Sequence, residues 1–300
     1  MAFPVSPTNG QTYLQDNVLY TYSSANNAWT VTTHTENTGP TFNYYTSSGS
    51  FTIPNGAKAL NVVVIGAGGG GGGGARYADN GLGGGGGGGG GGFSERMFSA
   101  SELGGAGTIV SYTVGSGGTA GPVTATGTTT LSGNAATAGG DSSFGTFLVA
   151  KGGGAGVAGL AGSSNVDATG GSGMWIGNPS TDSNQIGSAQ SSVYAGGGAG
   201  GYGGSIPDPA QDGGVPTCTS LTAATSPSQA GSDNTSYNAP AGGGHGASPS
   251  TTTPTAGGAG GLPGGGGGGG GVGSSGAGSG AGGAGGAGGG GLVAITVWYG

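Results

Sequence analysis

The chain has little charge and almost no cysteine. Only 5% of its 300 residues are charged, four basic against eleven acidic, for a net charge of −7. Without a basic patch, no nucleic-acid partner is expected. The same deficit removes an electrostatic grip on anionic lipid. The one cysteine, Cys218, rules out an intrachain disulfide framework. Its neighbours Pro216, Thr217 and Thr219 offer nothing that lowers a thiol pKa, so it reads as an inert loop thiol. The two histidines, His34 and His245, stand apart from any Cys, Asp or Glu cluster. No metal or other cofactor is therefore expected. No apolar run reaches the roughly 18 residues of a membrane span, so membrane insertion is not expected. The first residues carry neither the basic nor the apolar region of a secretory signal. No stretch shows a 3.6-residue period, which argues against helices.

What the chain has is glycine, 85 residues of it. There is no strict Gly-X-Y period, so collagen is excluded. The stretch that organises the chain is 66–92. Leu60, Asn61, Val62, Val63, Val64 and Ile65 empty into Gly66 and Ala67, then into unbroken glycine over 68–74. A polar interruption follows, and glycine resumes over 83–92. Two readings compete. Glycine-rich chains make flexible linkers, and glycine is the most costly residue to order. However, polyproline II helices have three residues per turn and no internal hydrogen bonds. Without Cβ atoms, such helices can lie side by side and bond laterally. The ten residues 83–92 would then span about 31 Å at ~3.1 Å each. A three-residue texture supports this second reading. Ala281, Ala284 and Ala287 recur at that spacing, as do Ala256, Ala259 and Leu262, and Ala199, Tyr202 and Ser205. Each set would line one edge of a rod and leave two bare glycine edges.

β-Branched and aromatic runs punctuate the glycine. They predict strands over 45–54, 58–65, 93–98, 109–114, 144–150 and 292–299. The strand over 58–65 is apolar on both faces and should be central. Residues 1–33 form a separate small piece, in which Tyr20, Tyr22 and Trp29 alternate around a turn at Asn26 and Asn27. The predicted fold class is all-β. It comprises an antiparallel β-sandwich-like domain with packed polyglycine II helices over 45–300, a linker over 34–44 and a small N-terminal β-hairpin module. The hairpin is barely stable alone. Its aromatics, with Phe3 and Tyr13, are candidates for assembly or docking.

Four polar insertions, 75–82, 163–194, 205–241 and 247–255, interrupt the glycine layer and read as loops. Loops on rigid scaffolds carry function, and Tyr and Trp are favoured contact residues there. The candidate contacts are Arg76, Tyr77, Asp79, Asn80, Trp175, Tyr194, Tyr202 and Tyr237. Catalytic motifs are missing. Gly66, Gly68 and Gly71 match a dinucleotide loop, but more glycine follows where a helix must start. Asp208 and Asp212 flank Pro209 as loop acids, and neither histidine has a nucleophile nearby. No enzyme activity is expected.

The order of these elements resembles the glycine-rich domain of bacteriophage tail-fibre proteins over about 45–300. The resemblance runs through Ser50-Phe51-Thr52-Ile53-Pro54, Val62-Val63-Val64-Ile65-Gly66-Ala67-Gly68 and Tyr112-Thr113-Val114-Gly115-Ser116-Gly117-Gly118. It continues in Gly139-Gly140-Asp141-Ser142-Ser143-Phe144-Gly145 and Ala150-Lys151-Gly152-Gly153-Gly154, and in the closing Gly-Gly-Ala triplets. The N-terminal piece looks like a short aromatic module of phage fibre proteins. A more distant likeness is to the polyglycine-sandwich adhesins of T-even-like phages, whose inter-helix loops contact the host receptor. The resemblance implies a non-catalytic component of the virion. Its partners would be other virion structural proteins and a host cell-surface saccharide or outer-membrane protein. It is compatible with a homotrimer or with a monomeric tip. The long insertions at 163–194 and 205–241 depart from the family, so no receptor contact carries over. Alternatives are a capsid-surface fibre or decoration protein, and an ice-binding glycine-helix bundle.

Overall fold

The computed structural model describes residues 4–15, 18–34, 39–77, 84–125, 127, 129, 131–160, 256–271, 273–274 and 281–300. Among them every regular element is a strand. Near the N-terminus, β1 (Thr12–Gln15), β2 (Val18–Ser23) and β3 (Ala28–His34) form an antiparallel sheet in that order. The expected hairpin thus gains a third strand, because Tyr13 finds a cross-strand partner in Tyr20. Tyr22 faces Trp29 across the next pair. The Trp29 ring lies 6.1 Å from Tyr13 and 5.4 Å from Tyr22. Cross-strand aromatic pairs of this kind stabilise small sheets by roughly 0.2–1 kcal/mol each.

Two four-stranded antiparallel sheets then face each other. The first contains β4 (Thr41–Tyr45), β6 (Ala57–Ile65), β8 (Phe93–Ser99) and β13 (Leu292–Tyr299), in the order β4-β13-β6-β8. The second contains β5 (Gly49–Thr52), β9 (Ile109–Thr113), β10 (Ser142–Phe144) and β11 (Leu148–Ala150), in the order β11-β10-β9-β5. Strand β6 is internal, as its two apolar faces predict. Two expectations need correction. The last four residues of the segment read as a linker, 41–44, belong to strand β4, which pairs with β13 from Thr41↔Val297 to Tyr45↔Val293. Its mixed polar sequence hid it, because an edge strand buries only one face. The single strand expected over 144–150 is instead β10, a turn and β11. Gly145, with φ of 53°, makes the reversal in a left-handed conformation that suits glycine.

Register puts Leu60, Val62 and Val64 of β6 beside Val297, Ile295 and Val293 of β13. These six meet Phe51, Ile53, Val110, Tyr112 and Phe144 of the second sheet and its flanks in one buried cluster. The outward positions Ser50, Thr52, Ser111 and Thr113 of the second sheet are hydroxyl-bearing and exposed. This alternation of apolar and polar positions makes a two-layer sandwich with a side-chain core.

Candidate functional site: the rod bundle and its loop-bearing end

The glycine runs leave the sandwich as eight extended rods. In chain order they cover 66–75, 84–92, 115–125, 132–140, 151–160, 256–262, 264–271 and 281–291, and are numbered rod 1 to rod 8. Rod 1 is the axis. Its N–H groups donate outward in strict rotation. Gly66, Gly69 and Gly72 donate to Gly92, Gly89 and Gly86 of rod 2. Ala67, Gly70 and Gly73 donate to Gly140, Thr137 and Asn134 of rod 4. Gly68, Gly71 and Gly74 donate to Gly289, Gly286 and Gly283 of rod 8. Its carbonyls accept in a matching rotation. Ala67, Gly70 and Gly73 receive Gly153, Gly156 and Gly159 of rod 5. Gly68 and Gly71 receive Gly118 and Gly121 of rod 3, while Gly69 and Gly72 receive Gly267 and Gly270 of rod 7. A repeat of three residues per turn is the signature of the polyglycine II arrangement.

Bonds between the outer rods close a ring around rod 1 in the order 2-5-4-3-8-7. One bond from each contact shows it: Gly89 to Gly154, Gly139 to Gly153, Gly140 to Ser116, Gly288 to Gly118, Gly286 to Gly268 and Gly88 to Gly267. Rod 6 sits in the outer groove between rods 7 and 8, through Gly260 to Ala287 and Gly268 to Gly258. The registers make the odd rods run away from the sandwich and the even rods run back. The result is a hexagonal lattice with one fully surrounded rod. Its close approach depends on glycine. A methyl group added at Gly70 would be driven into the Thr119 carbonyl, and one at Gly71 into the Gly268 carbonyl.

Ala67 and Ala75 of rod 1 and Thr124 of rod 3 are buried; most other side chains lie on the outer edges, where the three-residue texture predicts them. Ala256, Ala259 and Leu262 are exposed on rod 6. Ala281, Ala284 and Ala287 form the outward edge of rod 8 and are only partly buried or exposed. Ser116, Thr119 and Pro122 are exposed on rod 3. Rods 3 and 4 are also linked by the Thr119 and Thr137 hydroxyls, 2.9 Å apart. Asn134 of rod 4 donates to the carbonyls of Pro122 and Val123 at 3.2 and 3.1 Å. Side chains thus meet main-chain groups where the lattice ends. At the sandwich junction, buried Ser142 accepts from Gly115 N–H at 2.9 Å. Asp141 pairs with Lys151 at 2.6 Å and accepts Gly152 N–H at 2.9 Å. The bond from the Lys151 ammonium, then that from Gly152, hold the Asp141 carboxyl below its usual range.

The bundle has two unlike ends. At the sandwich end, rods run directly into strands, and rods 6 and 7 join through a tight turn at Pro263. At the other end lie four rod-to-rod connections: rod 1 to rod 2, rod 3 to rod 4, rod 5 to rod 6 and rod 7 to rod 8. Leu160 and Ala256, the described residues on either side of 161–255, both lie at that end. Strand β4, in contrast, starts opposite Val297, at the end of β13 remote from the rods. The N-terminal sheet therefore joins the sandwich from the far side.

The sequence candidates distribute unevenly over this frame. Rods 1 and 2, on either side of the insertion at 75–82, are antiparallel and bonded to each other. Arg76, expected as an exposed loop contact, is 4% exposed and therefore points inward. Its Nε donates to Thr129 O at 2.7 Å and its Nη2 to Thr129 Oγ1 at 3.1 Å. Its Nη1 donates to Ala125 O. The backbone of Tyr77 belongs to β7 (Arg76–Tyr77), which pairs in parallel with β12 (Gly273–Ser274). Asp79, Asn80, Trp175, Tyr194, Tyr202, Tyr237 and Phe3 lie outside the described residues, as do Cys218 and His245. Tyr13, Tyr20, Tyr22 and Trp29 share one face of the N-terminal sheet. Sequence reading missed the turn between rods 3 and 4, where Val123 and Leu131 are exposed. The available signal was the loss of glycine over Val123, Thr124, Ala125, Thr126, Gly127, Thr128, Thr129, Thr130 and Leu131.

Among curated proteins, comparison finds no match. The glycine-rich domain family matches residues 46–298, which spans the sandwich and the rods together. The chain belongs to the glycine-rich domain family.

Proposed function

We propose that the protein is a non-catalytic virion fibre or adhesin of a bacteriophage. In this reading the N-terminal sheet docks it to other virion proteins, and the loop-bearing end contacts a host-surface saccharide or outer-membrane protein. The supporting observation is the polarity of the molecule. Four of the five rod-to-rod connections gather at one end of a closely bonded lattice, and the chain enters the sandwich from its N-terminal module on the other side. Such a scaffold holds loops at fixed spacing, which is what a contact surface needs. The weak charge favours recognition by hydrogen bonds and ring contacts over ion pairing. The likeness to tail-fibre domains agrees with this reading.

The test is binding of labelled, purified protein to bacterial cells, with and without residues 163–194 and 205–241. The expected result is saturable binding that the deletion removes while the domain stays folded. Failure of the intact protein to bind any cell of a phage host, or unchanged binding after the deletion, contradicts it. Gold-labelled protein located at the tail in virion micrographs would agree with the reading, whereas label at capsomers would point to a decoration protein.

A further inference from the structure

Arg76 is the one charged residue among the described buried positions. Burying a charge is costly unless its donors are used, and here they are used on neutral acceptors. Among the described residues its guanidinium meets the carbonyls of Ala125 and Thr129 and the Thr129 hydroxyl. Its own backbone pairs in both directions with Leu131, at 2.8 and 2.9 Å. The preceding residue, Ala75, accepts Gly273 N–H at 2.9 Å. A Cβ at Gly127 would press on the guanidinium at 2.8 Å, so the turn is moulded around the side chain. Three of the four rod connections at this end thus converge on one residue: the turn it begins, the turn that wraps it and the strand that lies beside it.

We propose that Arg76 is a positioning residue, which fixes the turn between rods 3 and 4, with its exposed ledge of Val123, Ala125, Thr129 and Leu131, at the loop-bearing end of the bundle. The planar fork is the reason for arginine. It spans carbonyl and hydroxyl acceptors on two sides of a turn, which the single ammonium of lysine cannot do. Val123 and Leu131 are displayed above it, 58% and 43% exposed. The ledge is uncharged and contains only small apolar and hydroxyl side chains. It suits a neutral partner surface. This proposal rests on the reading that the loop-bearing end is the contact end.

Thermolysin cleaves before Val and Leu and so reports the ledge through Val123 and Leu131. In Arg76→Gln, the expected result is cleavage at the ledge about tenfold faster, from local opening. The melting temperature of the lattice should be unchanged, and binding to bacterial cells that hold the wild type should be weakened. Thr129→Val, which removes one acceptor, should show a smaller change in the same direction, and Thr129→Ser should restore the wild-type rate. Unchanged cleavage in both Arg76→Gln and Thr129→Val overturns the positioning role. Should Arg76→Gln fail to fold, Thr129→Val and Thr129→Ser decide alone. Faster cleavage with unchanged cell binding overturns the link to the contact surface and leaves the local clamp intact. Failure of the wild type itself to bind cells contradicts the adhesin reading instead.

Discussion

The sandwich and the rod bundle meet one requirement by opposite means. Both must exclude water and pair every main-chain group they bury. The sandwich does so with side chains, in the cluster around Leu60, Val62, Ile295 and Phe144. The bundle does so without them. Around rod 1 the neighbour of each main-chain group is another main chain, and each residue from Ala67 to Gly73 both donates and accepts. A net hydrogen bond contributes about 0.5–1.5 kcal/mol, while ordering a residue's backbone costs roughly 1–2 kcal/mol. A lone rod therefore has no reason to form. Only a rod surrounded on all sides approaches balance, so the lattice is cooperative and depends on the sandwich to bring its ends together.

The sharpest way to break this comparison is to reverse the usual rule for core substitutions. Gly70→Ala adds one methyl group against the Thr119 carbonyl. Overpacking costs about 1–3 kcal/mol, and separating the rods sacrifices further bonds at about 1 kcal/mol each. The expected loss is about 4 kcal/mol in urea unfolding, from an addition that most proteins tolerate in a helix. Ala259→Ser, on the exposed edge of rod 6, should shift stability by less than about 0.5 kcal/mol.

In the sandwich the sensitivity runs the other way. Ile295→Ala opens a void beside Val62 and should cost about 3 kcal/mol, within the range for buried aliphatic truncations. If Gly70→Ala proved milder than Ile295→Ala, the rods would be looser than the bonding pattern requires.

The smallest effect sits at the junction. The folded-state pKa of Asp141 is depressed by Lys151 and Gly152. Its contribution is therefore present above the unfolded-state pKa, near 4, and is lost as pH falls through the folded value. Both partners are about half exposed, 53% and 48%, so solvent screening limits the pair to a few tenths of a kcal/mol. Asp141→Asn should flatten the acid limb of the stability–pH curve below about pH 4 and change little at neutral pH.

Sequence reading reached different depths in the two regions. The strands carrying Val62–Val64 and Ile295–Val297 were legible because side-chain alternation records burial. The rods were legible through their exceptions: Ala256, Ala259 and Leu262 recur every third residue and mark an outer edge. Which rod neighbours which was not legible, since a glycine carries no mark of its partner. Strand β4 escaped because Thr41, Phe42 and Asn43 alternate weakly at a sheet edge. Arg76 was misread for a related reason. A charge in a loop predicts exposure, whereas the carbonyls of Ala125 and Thr129 and the Thr129 hydroxyl, distant in sequence, draw it inward.

Native-state amide hydrogen exchange tests the central claim most directly, since it reads each rod by its own bonds. The lattice predicts that the amides of Gly68 to Gly73 exchange by opening of the whole domain, as slowly as those of Val62 and Val64 in β6. Exchange of these glycines at the free rate of a flexible linker, with β6 still protected, would contradict it.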